Sequence, residues 1–188
     1  MLLKPIAEKF LSPEANLSRR FILFATSHAV ERFFRNKGEL LFGKRYHFEY
    51  PKELPVFSLK LPSEYQIREI DEELFETIQG RITPHFSWRS SAEFISKGKG
   101  YGVFYNGTPA SWAFSAAVSS DEIDIGIETT DTFRQRGLGM IAAERMIQYC
   151  FEQYKSPVWS CDVKNIASQK IAEKIGFVKS SEYTTIRR

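Results

Sequence analysis

The stretch that most constrains this chain runs from Glu122 to Ala143, Glu-Ile-Asp-Ile-Gly-Ile-Glu-Thr-Thr-Asp-Thr-Phe-Arg-Gln-Arg-Gly-Leu-Gly-Met-Ile-Ala-Ala. Ile123, Ile125 and Ile127 alternate with polar residues, the period of a half-buried strand, so Glu122, Asp124 and Glu128 share the opposite face. Polar residues lead on to Arg134-Gln135-Arg136-Gly137-Leu138-Gly139, and a helical pattern begins there. Glycines at Gly137 and Gly139 let backbone N–H groups converge on a ligand without hindrance from Cβ atoms. The following helix points its positive end at the same place. The expected result is an anion cradle, to which Arg134 and Arg136 add mobile positive charge suited to a phosphate or pyrophosphate.

Length allows one core with an N-terminal extension among the 188 residues. With 43% hydrophobic and 26% charged residues, and 16 Phe and 8 Tyr, the chain reads as a folded protein with an aromatic interior rather than a disordered one. The formal charge of +3 comes from 26 basic and 23 acidic residues that are interspersed along the chain. A nucleic-acid binder concentrates its basic residues in a stripe, and none is visible. Cys150 and Cys161, with His28, His47 and His85 scattered, show neither a disulfide framework nor a zinc spacing. Free thiols, no signal-peptide pattern and no apolar run long enough to span a bilayer lead to the expectation of a soluble cytoplasmic protein without membrane partners.

Ser12-Pro13-Glu14-Ala15 reads as a helix start, and Arg20 to Thr26 fits either a short buried strand or part of a helix. His28 to Lys37 reads as a helix stopped by Gly38. Pro51, Pro55 and Pro62 make residues 51–62 extended and irregular, so the boundary between an appendage (1–62) and the core (63–188) is expected there. A strand over Glu64 to Ile70 then leads to a helix opened by Asp71-Glu72-Glu73. Ser90-Ser91-Ala92-Glu93 has capping-box spacing. Tyr101 to Val118 forms a hairpin about Asn106-Gly107, the strongest two-residue turn signal, and a second hairpin returns into the Ile123 strand. Beyond the glycine loop come a largely apolar helix from Leu138 to Gln153 and a strand from Pro157 to Val163. A helix carrying Ala167, Ile171 and Ile175 follows, stopped by Gly176-Phe177, and a single last strand lies near Glu182 to Ile186. A meander combined with crossover units predicts an α/β (α+β mixed) fold, a central mixed sheet with helices on both faces.

From about Glu64 onward the chain resembles the GCN5-related N-acetyltransferase (GNAT) superfamily. Arg134-Gln135-Arg136-Gly137-Leu138-Gly139 fits the family's Gln/Arg-x-x-Gly-x-Gly/Ala phosphate loop, and Asn165 followed by Gly176-Phe177 fits its Asn…Gly-Phe block. The resemblance implies a GNAT-like acyl-CoA N-acyltransferase fold. It also implies transfer of an acetyl group from acetyl-CoA to a primary amine, of a small molecule or a peptide, by direct transfer. Residues Arg134 to Gly139 would hold the CoA pyrophosphate. Ile127, Glu128 and Thr129 would offer strand backbone to pantetheine in a gap between parallel strands. Asn165, and Ser168 on the same helix, would contact the cofactor arm.

Amine acylation needs a neutral nucleophile, so a general base is expected near the thioester. Glu122, Asp124 and Glu128 are the candidates, with Gly126 leaving room between them. The family's strand carries a bulge near the loop, which leaves the choice among the three open. Many members place a tyrosine on the last helix to protonate the leaving thiolate; Ala172 stands there, with Ser168, Cys161 and Tyr183 as possible substitutes. The absent tyrosine keeps a second reading, an acyl-CoA-binding module without turnover. A third is a dinucleotide site, because Gly137 to Ala142 also satisfies Gly-x-Gly-x-x-Ala with Asp162 as the ribose acid. Residues Thr129 to Arg136 intervene between strand and glycines, however, and the meander upstream conflicts with a doubly wound sheet. Trp88, Trp112 and Trp159 fit either an acceptor-pocket wall or the core, the core being preferred for Trp112. A single strand after the last helix leaves an open edge that the N-terminal residues or a second subunit, in a homodimer, would cover.

Overall fold

The computed structural model describes residues 3–13, 22–25, 27–51, 53 and 59–188. The helices are α1 (Leu3–Leu11), α2 (His28–Arg35), α3 (Glu72–Thr77), α4 (Ser91–Lys97), α5 (Leu138–Glu152) and α6 (Ile166–Lys174). The strands are β1 (Leu23–Ala25), β2 (Leu41–Glu49), β3 (Tyr65–Glu69), β4 (Gly100–Tyr105), β5 (Thr108–Val118), β6 (Glu122–Thr129), β7 (Ser156–Asp162) and β8 (Val178–Arg187). The helix start read at Ser12-Pro13-Glu14-Ala15 continues into residues outside those described. Contacts cluster in two compact units, one of 1–47, 161–166 and 180–188, the other of 48–160 and 167–179.

In the larger unit, β3, β4, β5 and β6 form an antiparallel meander, and β7 runs parallel beside β6. Asn106 (φ 47°) and Gly107 (φ 79°) close the β4–β5 hairpin with two left-handed residues, the primed turn whose twist matches the strands. Alternation divides each strand between two helical layers. Phe104, Trp112 and Phe114 are buried with Leu74, Phe75 and Ile78 of the α3 region and Phe94 of α4. On the other face α5 lies so close that a Cβ on Gly139 would stand 3.0 Å from Thr129 Oγ1 and 3.6 Å from Ile127 Cδ1. Helices therefore cover both faces of a mixed sheet.

Local signals act as the sequence indicates. Asp71 caps α3 by accepting the Leu74 N–H, and Ser90 caps α4 by accepting that of Glu93. The Glu93 carboxylate reaches back to Arg89 N–H, one residue short of the usual capping-box partner. At the end of α6, Gly176 (φ 103°) donates to Glu173 O and Phe177 to Ala172 O, the paired bonds of a Schellman stop.

The smaller unit packs Ala7 and Phe10 of α1, Phe34 of α2, Ala25 of β1 and Ile186 of β8 into one cluster. Within the segment Arg20 to Thr26, Leu23–Ala25 form a strand, while residues 20, 21 and 26 lie outside those described. One strand does follow α6, and its flanks are filled from the N-terminal part of the chain, since β8 lies between β1 and β2. Neither α1 nor β2 is foreseen from the sequence; in β2, Gly43-Lys44-Arg45 interrupts the apolar alternation that would have marked a strand. The appendage expected over residues 1–62 and the unit defined by contacts have different bounds, because residues 1–47 cluster with the C-terminal strand.

Candidate active site at the end of the β6 strand

Strands β6 and β7 pair in parallel at Glu122↔Ser156, Ile123↔Pro157 and Asp124↔Val158, and among the described residues no further register links them. Beyond Asp124, β6 continues to Thr129 beside β5 alone. Thr130 N–H donates to Ala110 O at 3.0 Å, and Glu128 O accepts the Ser111 hydroxyl at 2.9 Å, so both of these backbones turn toward β5. By the two-residue period, the N–H and C=O of Ile127 and Thr129 turn the other way, toward the side where β7 has parted. Of the three residues expected to offer backbone, two are so disposed and Glu128 is not.

A 3-10 turn at Asp131–Phe133 then carries the chain to the glycine loop. Gln135 (φ 63°) and Gly137 (φ 78°) are both left-handed, and Gly137 is the N-cap of α5. The two glycines do different work. Gly137 takes a backbone conformation that suits glycine, whereas Gly139 lets the first turn of α5 lie against Ser111, Ile127 and Thr129. Leu138 is buried and, with Gly139, contributes first-turn N–H groups that a helix cannot satisfy internally. Arg134 is exposed and pairs with Asp131 at 2.6 Å. Arg136 is not the mobile charge expected of it: its guanidinium donates to Tyr65 Oη at 3.1 Å and to Thr132 O at 3.2 Å, and lies over the Phe133 ring.

The three carboxylates separate. The register shift near the middle of β6 belongs to β5, where Ala116 is the extra residue between Ser115↔Ile125 and Ala117↔Asp124. Side-chain parity on β6 is therefore unbroken, and Glu122, Asp124 and Glu128 do share a face. Gly126 leaves no open room between them, because a Cβ there would stand 2.9 Å from the Phe114 ring. Glu122 is exposed at the outer start of the strand, Asp124 is half-buried at the last β6–β7 pair, and Glu128 is half-buried near the loop. Glu128 Oε2 accepts the Ile82 N–H at 2.6 Å while its cross-strand neighbour Trp112 donates Nε1–H to Ile82 O at 2.7 Å. Together they grip both polar groups of one residue in the segment after α3. Trp112, with 1% of its surface exposed, is a core residue as preferred.

On α6, Ser168 Oγ accepts Trp159 Nε1–H at 3.0 Å, and Ala172 is fully buried. Asn165 is exposed, belongs to the smaller unit, and donates its N–H to Asp162 O at 2.8 Å. Burial pushes the Tyr101 phenol and the Cys150 thiol each up to about 12 and raises Tyr149 as well, so these groups stay neutral. Cys150 and Cys161 are both buried free thiols. Among the described residues no cluster of potential metal ligands is present, and no helix is long and apolar enough to cross a membrane.

Three further residues of the site are not picked out by the sequence. Ser111, which bonds Glu128 O and Thr129 Oγ1, was visible only as a polar residue in a buried strand. Tyr65 and Ile82 gave no signal, since their partners lie 71 and 46 residues away.

The Gly-x-Gly-x-x-Ala match does not sit in a dinucleotide unit: the strand before it belongs to an antiparallel meander, and the Asp131–Phe133 turn separates strand from glycines. The family model described as GNAT acetyltransferase matches residues 4–186. The chain is 28% identical over 179 residues to the uncharacterized N-acetyltransferase YdfB of Bacillus subtilis strain 168, covering 93% of this chain and 69% of that one. Among solved structures, a GCN5-related N-acetyltransferase-like protein from Streptococcus suis superposes with a TM-score of 0.72 at 24% identity, over 88% of this chain and 70% of that one. A GCN5-related N-acetyltransferase from Kribbella flavida superposes with a TM-score of 0.68 at 16% identity, over 98% of this chain and 73% of that one. The parted strands, the left-handed N-cap and a family match over nearly the whole length agree: the chain belongs to the GNAT acetyltransferase family of N-acetyltransferases.

Proposed function

We propose that this N-acetyltransferase binds acetyl-CoA on the Arg134–Gly139 loop and transfers the acetyl group directly to a primary amine of a small molecule or peptide. The observation that carries the reading is the parting of β6 from β7 after Asp124↔Val158, immediately before a helix whose N-cap is the left-handed Gly137. First-turn N–H groups at Leu138 and Gly139, with the exposed Arg134 and the preceding Gln135, form a cradle for a pyrophosphate. Ile127 and Thr129 present strand N–H and C=O groups to an amide-bearing chain. Ser168 is assigned the further contact that family membership implies.

Acetyl-CoA supplies an activated thioester; the protein supplies position and proton handling. Asp124 is assigned the general base, taking the proton from the acceptor ammonium, directly or through water, so that the amine lone pair is available. It stands where the strands part. Glu128 Oε2 accepts the Ile82 N–H in the segment after α3, and Glu122 lies two residues farther out on an exposed strand end. No proton donor comes from position 172, because Ala172 is buried and has no titratable group; a CoA thiol is acidic enough to leave without one.

Free-thiol release from acetyl-CoA, measured with a panel of small amines, amino acids and peptides, tests the reading. Acceptor-dependent release is expected. Saturable acetyl-CoA binding with no release for any acceptor would instead establish a binding module without turnover.

A further inference from the structure

Arg136 sits between two left-handed residues, Gln135 and Gly137. A non-glycine residue in that conformation costs about 1–2 kcal/mol, so such a loop keeps its shape only where its surroundings over-determine it. The restraint here comes through side chains. Tyr65, the first residue of β3 and 5% exposed, packs at a tilt against Tyr105, its cross-strand partner on β4, at 5.4 Å between ring centroids. Phe133, in the turn that precedes the loop, packs on both rings at 6.3 and 5.8 Å. Arg136 lies 5.3 Å above the Phe133 ring and donates to Tyr65 Oη at 3.1 Å and Thr132 O at 3.2 Å. A guanidinium has five N–H donors in a fixed fork, and these two bonds fix its plane while leaving donors that can meet an anion.

From this geometry we infer that Tyr65 is a positioning residue for the anion loop: its hydroxyl, through Arg136, holds the 135–137 backbone in the shape that aims the first-turn N–H groups of α5. The inference rests on the proposed acetyl-CoA reading. It assigns a cofactor-affinity role to a strand at the far edge of the meander, which reaches the loop through the Tyr65 hydroxyl. Tyr65→Phe removes that hydroxyl and keeps the ring against Tyr105 and Phe133. Arg136→Lys keeps the charge on an exposed side chain but loses the planar fork, so it serves where Tyr65→Phe fails to fold.

The test is isothermal titration of the full chain with CoA, followed by steady-state kinetics in acetyl-CoA with an acceptor found by the amine panel. Either substitution should weaken CoA binding about tenfold, the scale of one hydrogen bond to a charged group. The KM for acetyl-CoA should rise in parallel with kcat unchanged, a split that general loosening of the fold would not give. The double variant should bind no more weakly than Arg136→Lys alone, because both changes break one link. Wild-type affinity in Tyr65→Phe, a fall in kcat at constant KM, or independent effects in the double variant would each overturn the inference. Absence of CoA binding by the wild-type chain would overturn the acetyl-CoA reading itself.

Discussion

Replacing Glu128 separates a structural carboxylate from a catalytic one. Its Oε2 accepts the Ile82 N–H at 2.6 Å, an ionised acceptor on a backbone donor, and such bonds contribute about 1.5–3 kcal/mol against about 0.5–1.5 kcal/mol for neutral ones. Glu128→Gln retains an acceptor oxygen and loses the charge, so it should cost about 1 kcal/mol. Glu128→Ala loses the bond and leaves the N–H without its partner, so about 2 kcal/mol is expected. For a chain of this size each kcal/mol lowers Tm by roughly 2–4 °C. Trp112 grips Ile82 from its carbonyl side, and therefore Trp112→Phe and Glu128→Gln should be non-additive by at least about 0.5 kcal/mol in a double-mutant cycle. Urea unfolding supplies the stabilities, and acceptor-dependent thiol release supplies the rates. The Gln variant should keep kcat within a few-fold of wild type. Unchanged stability in both single variants, or a hundredfold loss of kcat in Glu128→Gln at unchanged stability, would refute the clamp and return Glu128 to the role of base.

Asp124→Asn should lower kcat by about 10²–10⁴-fold, the usual contribution of a general base, with little change in CoA affinity; near-wild-type turnover would remove Asp124 from the chemistry. Alkaline pH should destabilise the fold. Burial raises Cys150 from 9.0 to about 12 and Tyr101 from 10.0 to about 12, so between about pH 9 and 12 the native state holds protons that the unfolded state has released. The stability these groups contribute is complete below pH 9 and is lost toward pH 12, at about 1.4 kcal/mol per pH unit for each proton. Cys150→Ala should reduce the slope of unfolding free energy against pH in that window by about one proton, and an unchanged slope would contradict the assignment.

What could be read from the sequence was local. Asn106-Gly107 needed only two left-handed residues between strands, Ser90 only an N–H three residues on, and Gly176-Phe177 only the last turn of α6. The alternation of Ile123, Ile125 and Ile127 fixed which carboxylates share a face, and nothing in the structure disturbs it because the bulge is in the neighbouring strand. What could not be read depends on distant partners. A two-residue period cannot show that Phe114 fills the space over Gly126, that Glu128 is engaged by Ile82, or that Arg136 is tied to Tyr65. Strand β2 was hidden for a compositional reason, the Gly43-Lys44-Arg45 interruption. Its partner β8 lies at the other end of the chain, where no local pattern could reveal the pairing.

The central claim is that the loop opening α5 is an acetyl-CoA site, and titration calorimetry of acetyl-CoA into the wild-type chain and Gly137→Val tests it most directly. Gly137 has φ 78°, and a Cβ there would meet only Met140 Cε at 3.6 Å, so the substitution strains the N-cap and obstructs an anion without disturbing the core. Saturable one-to-one binding by the wild-type chain, lost in the folded variant, is the predicted result. Equal affinity in both proteins, or no binding by the wild-type chain, would contradict the account.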